Sequence, residues 1–260
     1  MNNVKAYNEM QAQITHTDTA RKYRLKCQKR KKETVFQVVV EETDLWINAS
    51  SDLSQPILNF VHQLRGIIKS YITLHPEFAT SLKPLPVPVN APDIIRNMSL
   101  AAAKTDVGPM AAVAGSIAQA VARQFAAQSP DILVENGGDT YLYSTISRTI
   151  GLLPDPAQDI SLGLKLRAEE FPCSLCASSG RIGHSLSLGQ GDLVVVKSRD
   201  GALADTAATA LANILRAKQD VNKVLAKAKS LHSQGVLGVF AQFDDQLGAW
   251  GEIELLSTNS

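Results

Sequence analysis

Apolar and polar residues change period several times along the chain, and each change predicts an element. Tyr23–Cys27 alternates, Val35–Glu41 alternates again, and Asp44–Ala49 follows; all three read as strands. The period then lengthens. Ile57, Val61, Leu64, Ile68 and Ile72 form one face of a helix, with Ser54 as its expected N-cap and Pro56 in its first turn. Pro76 ends that helix, and Pro84, Pro86, Pro88 and Pro92 make 76–92 a stiff, extended connection. Asp93 is placed to cap a helix to about Lys104. Gly108-Pro109 interrupts, and another helix runs from about Met110 to Ala127.

After Pro130 short strands dominate. Ile132-Leu133-Val134 and Thr140-Tyr141-Leu142-Tyr143 flank Asn136-Gly137-Gly138-Asp139, whose residues tolerate positive φ, so a tight hairpin is expected. Leu162–Leu166 and Leu193–Val196 read as strands, Ala202–Ala217 and about Val221–Leu231 as helices. Val236–Phe240 and Gly251–Leu256 are expected to close the chain as a hairpin around Asp244–Gly248. Strands and helices mix without strict alternation, which predicts an α+β fold. The reading is a single domain over 1–260: strands and helix in 20–75, the proline-rich connection, then a body over 93–260.

Composition sharpens this picture at one point. Alanine supplies 31 residues and the aromatics only 14. Eleven of those alanines fall between Ala101 and Ala127 and seven between Ala202 and Ala217. Two helices are therefore smooth, and they are expected to flank a pocket. Three cysteines do not suggest a disulfide framework, the start lacks a basic-then-apolar pattern, and no run of about 20 apolar residues occurs. A cytoplasmic protein with no membrane partner is expected. The net charge is +1, yet eight basic residues lie between Arg21 and Lys32. Their alternation with Tyr23, Leu25 and Cys27 favours a solvated hairpin over a nucleic-acid patch, and no nucleic-acid partner is expected.

Four segments carry candidate chemistry. Gly108, Ala111, Ala112, Gly115 and Ala118 recur every three or four positions and leave one helix face nearly bare. Gly115 costs that helix about 1 kcal/mol relative to Ala, so something must compensate: tight helix–sheet packing, or close approach of a backbone or a ligand. The Gly137-Gly138 turn is either a β-turn alone or a set of N–H groups meeting a ligand. Cys173 and Cys176, with His184 nearby, lack a fourth ligand for zinc, and two cysteines in a strand-edge loop is favoured over a redox pair. Asp205 and Thr209 share one helix face, where a carboxylate and a hydroxyl suit magnesium. A helix-dipole partner for Asp205 is the bland alternative.

Taken together these segments resemble the ApbE superfamily, the FAD:protein FMN transferases, and more closely a soluble branch of it. The resemblance runs from about Tyr23 to Phe240. It rests on Glu42-Thr43-Asp44-Leu45, Val107-Gly108-Pro109-Met110-Ala111-Ala112-Val113-Ala114-Gly115 and Val134-Glu135-Asn136-Gly137-Gly138-Asp139. It continues with Ser178-Ser179-Gly180, Gly183-His184-Ser185-Leu186-Ser187 and Ala204-Asp205 with Ala207-Ala208-Thr209-Ala210. It implies the ApbE-like variant of the T-fold, antiparallel sheets covered by helices. It also implies a site for FAD or FMN with Mg2+, built from Ala111, Gly115, Gly137, Gly138, Asp139, Ser179, Gly180 and His184, with Asp205 and Thr209 on the metal. His184 is the candidate catalytic residue.

The chain departs from the transferase pattern twice. Ala114 stands where transferases carry the lysine of a Lys-Gly pair, and Ser185-Leu186-Ser187-Leu188-Gly189 follows His184 in place of Asp-Pro-x-Thr-Gly. Three classes of function therefore stand: a Mg2+-dependent flavin or nucleotide transferase, a binding module for a nucleotide-like small molecule, and a non-catalytic scaffold that forms a homo-oligomer.

Overall fold

Alternating residues of the central strands are buried on both faces, and this sets the layering. In the computed structural model, which describes residues 33–86, 89–152, 162–179 and 191–257, β1 (Thr34–Val40), β2 (Thr43–Ala49), β3 (Ile132–Asn136) and β4 (Asp139–Tyr143) form half of a large sheet. β7 (Cys173–Ser178), β8 (Leu193–Ser198), β9 (Val236–Phe243) and β10 (Gln246–Gly251) form the other half. Its order is β1-β2-β3-β4-β7-β8-β9-β10. A smaller sheet runs β11 (Glu254–Ser257), β6 (Leu162–Leu166), β5 (Arg148–Gly151). Each paired strand is antiparallel to its neighbour. The expected strand Tyr23–Cys27, the basic run to Lys32, and Gly180 and His184 lie outside the described residues.

Val134, Tyr141, Cys176, Val194 and Val196 face the helices, while Leu133, Leu142, Leu175 and Val195 face the small sheet and pack with Leu164 and Leu166. The helical layer holds α1 (Ser54–Leu74), α2 (Asp93–Thr105), α3 (Val113–Phe125), α4 (Gly201–Ile214) and α5 (Val221–Ser230). α3 lies over β3 and β4, α4 over β7 and β8, and α2 packs on α4, where the Thr206 hydroxyl donates to the Ala101 carbonyl at 3.4 Å. The α+β class with antiparallel sheets covered by helices is the observed architecture.

Boundaries moved where local chemistry overrides periodicity. α3 begins at Val113, because Pro109–Ala112 forms a tighter 3-10 turn behind the extended Gly108. α4 begins at Gly201 with Asp200 as N-cap, its carboxylate accepting from the Leu203 N–H at 3.2 Å, and ends at Ile214 rather than Ala217. Leu53, not Ser54, is the N-cap residue of α1, and Asp52 accepts the Ser54 N–H. Asp93 is the first helical residue after Pro92 and pairs with Arg96. The terminal hairpin turns at Asp244-Asp245, so β9 pairs with Gln246–Gly251. Gly251, at φ +79°, then redirects the chain into the small sheet as β11. The expected strand Gly251–Leu256 is thus divided between two sheets.

Lys197 in β8 ties these layers. Its side chain is 0% exposed, and its ammonium pairs with Glu170, with Glu252 Oε2 at 3.0 Å and with the Glu252 carbonyl at 3.4 Å. Breaking a buried pair strands the remaining charge. Lys197→Met is expected to lower unfolding free energy by about 3 kcal/mol, read as a shift in the guanidinium midpoint.

Candidate functional site

The site forms where the β3–β4 turn meets the first turns of α3 and α4. Gly137 (φ +68°) and Gly138 (φ +111°) make the turn, a conformation that disfavours side chains. The Gly138 N–H is engaged by Glu135 Oε1 at 2.7 Å, while Gly137 faces open space. Asn136 reaches from this turn to the Ala114 carbonyl at 3.2 Å, docking it on the start of α3. Asp139 opens β4, buried, and its Oδ1 accepts the Ala177 N–H at 3.3 Å.

α3 and α4 cross at glycine. A Cβ at Gly115 would overlap the Gly201 carbonyl oxygen and lie 2.9 Å from Asp205 Cβ. A Cβ at Gly201 would lie 2.5 Å from the Gly115 carbonyl oxygen. The Gln119 amide oxygen accepts the Gly201 N–H at 2.6 Å. This contact places the Gly115 N–H 2.8 Å from Asp205 Oδ2, a bond across 90 residues of sequence. At Gly115 the bare helix face therefore meets the backbone of another helix, a close backbone approach rather than helix–sheet packing. Ala111 lies in the 3-10 turn just before α3, Thr209 one turn beyond Asp205 and partly buried, and Ser179 at the end of β7.

Electrostatically this is a buried acidic floor. Burial pushes the Asp139 carboxyl up to about 7, against hydrogen bonds from Cys176 and the Ala177 N–H that favour ionisation. Burial, then the charge of Asp139, pushes Asp205 well above the usual carboxylate range, against the N–H groups of Gly115 and Ala114. Among the described residues no lysine or arginine forms an ion pair with either carboxylate. Burial likewise raises the thiol of Cys176, with Asp139 and Asp205 adding to it.

Cys176 was not among the expected site residues. The register Thr140↔Leu175 puts Asp139 opposite it, and its sulfur lies 3.7 Å from the Gly201 carbonyl. The expected strand-edge loop is instead the central strand β7. Cys173 and Cys176 point to opposite faces, one toward the small sheet and one toward α4, so they form neither a pair nor a shared ligand set. The period-two run Ser174, Cys176, Ser178 was the available signal. Gln119 was also missed, because its partner is a backbone N–H.

The model of the family described as "AbpE bacteria" matches residues 26–241. A UPF0280 protein from Methanococcus maripaludis is 37% identical over 231 residues, covering 86% of this chain and 93% of its own length. A UPF0280 protein from Methanocaldococcus jannaschii is 36% identical over 231 residues, covering 86% and 93%. Among solved structures, a mutant of the flavin transferase ApbE from Vibrio cholerae superposes with a TM-score of 0.57 at 12% identity, covering 84% of this chain and 97% of that one. The apo flavinyl transferase ApbE of Pseudomonas stutzeri gives 0.55 at 11% identity, covering 87% and 95%. These two likenesses bear on the fold.

Proposed function

The chain belongs to the family described as "AbpE bacteria", and on that premise we propose that it binds a flavin or similar nucleotide-like ligand together with a divalent cation. The observation that carries this reading is the Asp139–Asp205 floor. Two carboxylates are buried side by side without a basic partner among the described residues, an arrangement that costs free energy until a cation or protons meet it. Oxygen donors of this kind suit magnesium. The residues present thus fit the metal, which Asp205 and Asp139 would hold, with Thr209 one turn above Asp205.

When bound, magnesium would neutralise charge on phosphate oxygens. The chain's own residues do the positioning. The N–H groups of Ala114 and Gly115 fix one edge of Asp205, and the Ala177 N–H fixes Asp139. Asn136 holds the Gly137-Gly138 turn against α3, so the exposed Gly137 borders the floor. We assign Ser179, at the end of β7, to ligand contact, and with it Gly180 and His184, which lie outside the described residues. Ala111, in the turn before α3, supplies the adjoining surface, while Gly115, its face filled by α4, contributes only its N–H to Asp205.

One observation favours binding without transfer. Ala114 stands where the resemblance places a lysine, so α3 offers no side-chain charge there. Calorimetry with FAD and FMN, each with and without MgCl2, tests the reading. Magnesium-dependent binding of either flavin is expected. A folded protein that binds neither would remove the flavin assignment, and hydrolysis or transfer of bound FAD would decide for an enzyme over a binding module.

A further inference from the structure

Strand β7 presents a polar stripe to α4: Ser174, Cys176 and Ser178, alternate residues of one strand. Ser174 donates to the Thr140 carbonyl at 2.9 Å. Cys176 stands against the Gly201 carbonyl and faces the carboxylates. Ser178 is 5% exposed, and its hydroxyl has no hydrogen-bond partner among the described residues. A buried hydroxyl without a partner is unfavourable, so its presence calls for a partner that arrives later.

Its height in the fold says which partner. β8 runs antiparallel to β7, and the chain turns back after Ser198 into α4, so α4 runs alongside β7 in the same direction. The two elements touch where Cys176 meets Gly201. From there two residues of strand climb about 6.7 Å to Ser178. Four residues of helix climb about 6 Å to Asp205. By this count Ser178 and Asp205 stand at about the same height above the Cys176–Gly201 contact. Asp139, opposite Cys176, leans toward the same level, because its carboxylate takes the Ala177 N–H.

We infer that the Ser178 hydroxyl is a third oxygen ligand of the divalent cation held by Asp139 and Asp205. This rests on the reading of that pair as a cation floor. A hydroxyl oxygen suits a hard cation, and three protein oxygens leave coordination positions for water and for phosphate oxygens of the ligand.

The test uses the full chain and Mn2+ alone, followed by calorimetry and by water-proton relaxation. Wild type is expected to bind Mn2+, Ser178→Thr to keep affinity within about threefold, and Ser178→Ala to lose at least tenfold. The thermal midpoint without metal separates this from a structural role. Ser178→Ala should match or exceed wild type there, since it deletes an unpaired buried hydroxyl, yet should lose most of the Mn2+-induced rise in midpoint. Equal Mn2+ affinity in wild type and Ser178→Ala would overturn the role of Ser178 and leave the cation floor standing. Absence of Mn2+ binding by wild type, with or without FAD, would overturn the floor and this ligand together.

Discussion

Asp205→Asn is expected to weaken divalent-cation binding by about a hundredfold or more, while the protein without cation becomes more stable at pH 8 by about 1–3 kcal/mol. The two effects share one cause. Asp205 and Asp139 are both held above the range they have in an unfolded chain, by burial first. Well below pH 4 both carboxyls are protonated whether the chain is folded or not, and they cost nothing. Above about pH 4 the unfolded chain gives up these protons while the folded chain keeps them, until about pH 7, where Asp139 ionises against burial. Stability therefore falls across that window.

An amide at position 205 is nearly isosteric and still accepts the Gly115 N–H, but it carries no charge to bury. The fall in stability between pH 5 and pH 8 should shrink accordingly. Guanidinium midpoints at both pH values, in chelator, measure this, and Mn2+ titration of the same samples measures binding. If the variant bound Mn2+ as tightly as wild type, or were less stable than wild type at pH 8, the buried pair would not be the cation floor. The stability cost is thus what a bound cation would offset.

What the sequence showed of this site follows from where the signals lie. The Asn136–Asp139 turn was legible because positive φ is written in residue type. The layers were legible because strands buried on both faces read as Val/Leu runs and helices as three-four repeats. Gly115 announced that something lies close to α3, yet its partner, Gly201, is far away in sequence, and both are glycine; no local pattern links them. Cys176 and Ser178 were hidden because the spacing of the two cysteines drew attention from the period-two alternation that makes Cys173–Ser178 a strand. β11 was hidden because Gly251 bends the chain between sheets, and only the packing of Gly251 against the Leu237 backbone requires that bend.

The same chemical change should have opposite signs at two helical glycines. In α1, Gly66 is exposed and a Cβ there meets nothing within 4 Å. Gly66→Ala is expected to stabilise by about 0.5–1 kcal/mol, through the lower backbone entropy of the unfolded chain and better helix propensity. Gly115→Ala receives the same propensity gain, but its methyl must enter the space of the Gly201 carbonyl, itself pinned by Gln119 holding the Gly201 N–H. Backbone cannot swing aside as a side chain does, so α3 and α4 must separate. Overpacking of this kind costs about 1–3 kcal/mol and occasionally more, which exceeds the gain. A net loss of about 2 kcal/mol, or roughly 4–8 °C in thermal midpoint for a chain of this size, is expected. Separation also lengthens the Gly115 N–H bond to Asp205, so cation binding should weaken in step with stability. A Gly115→Ala protein as stable as Gly66→Ala would mean that the helices do not cross at these glycines, and the geometry of the acidic floor would fall with that crossing.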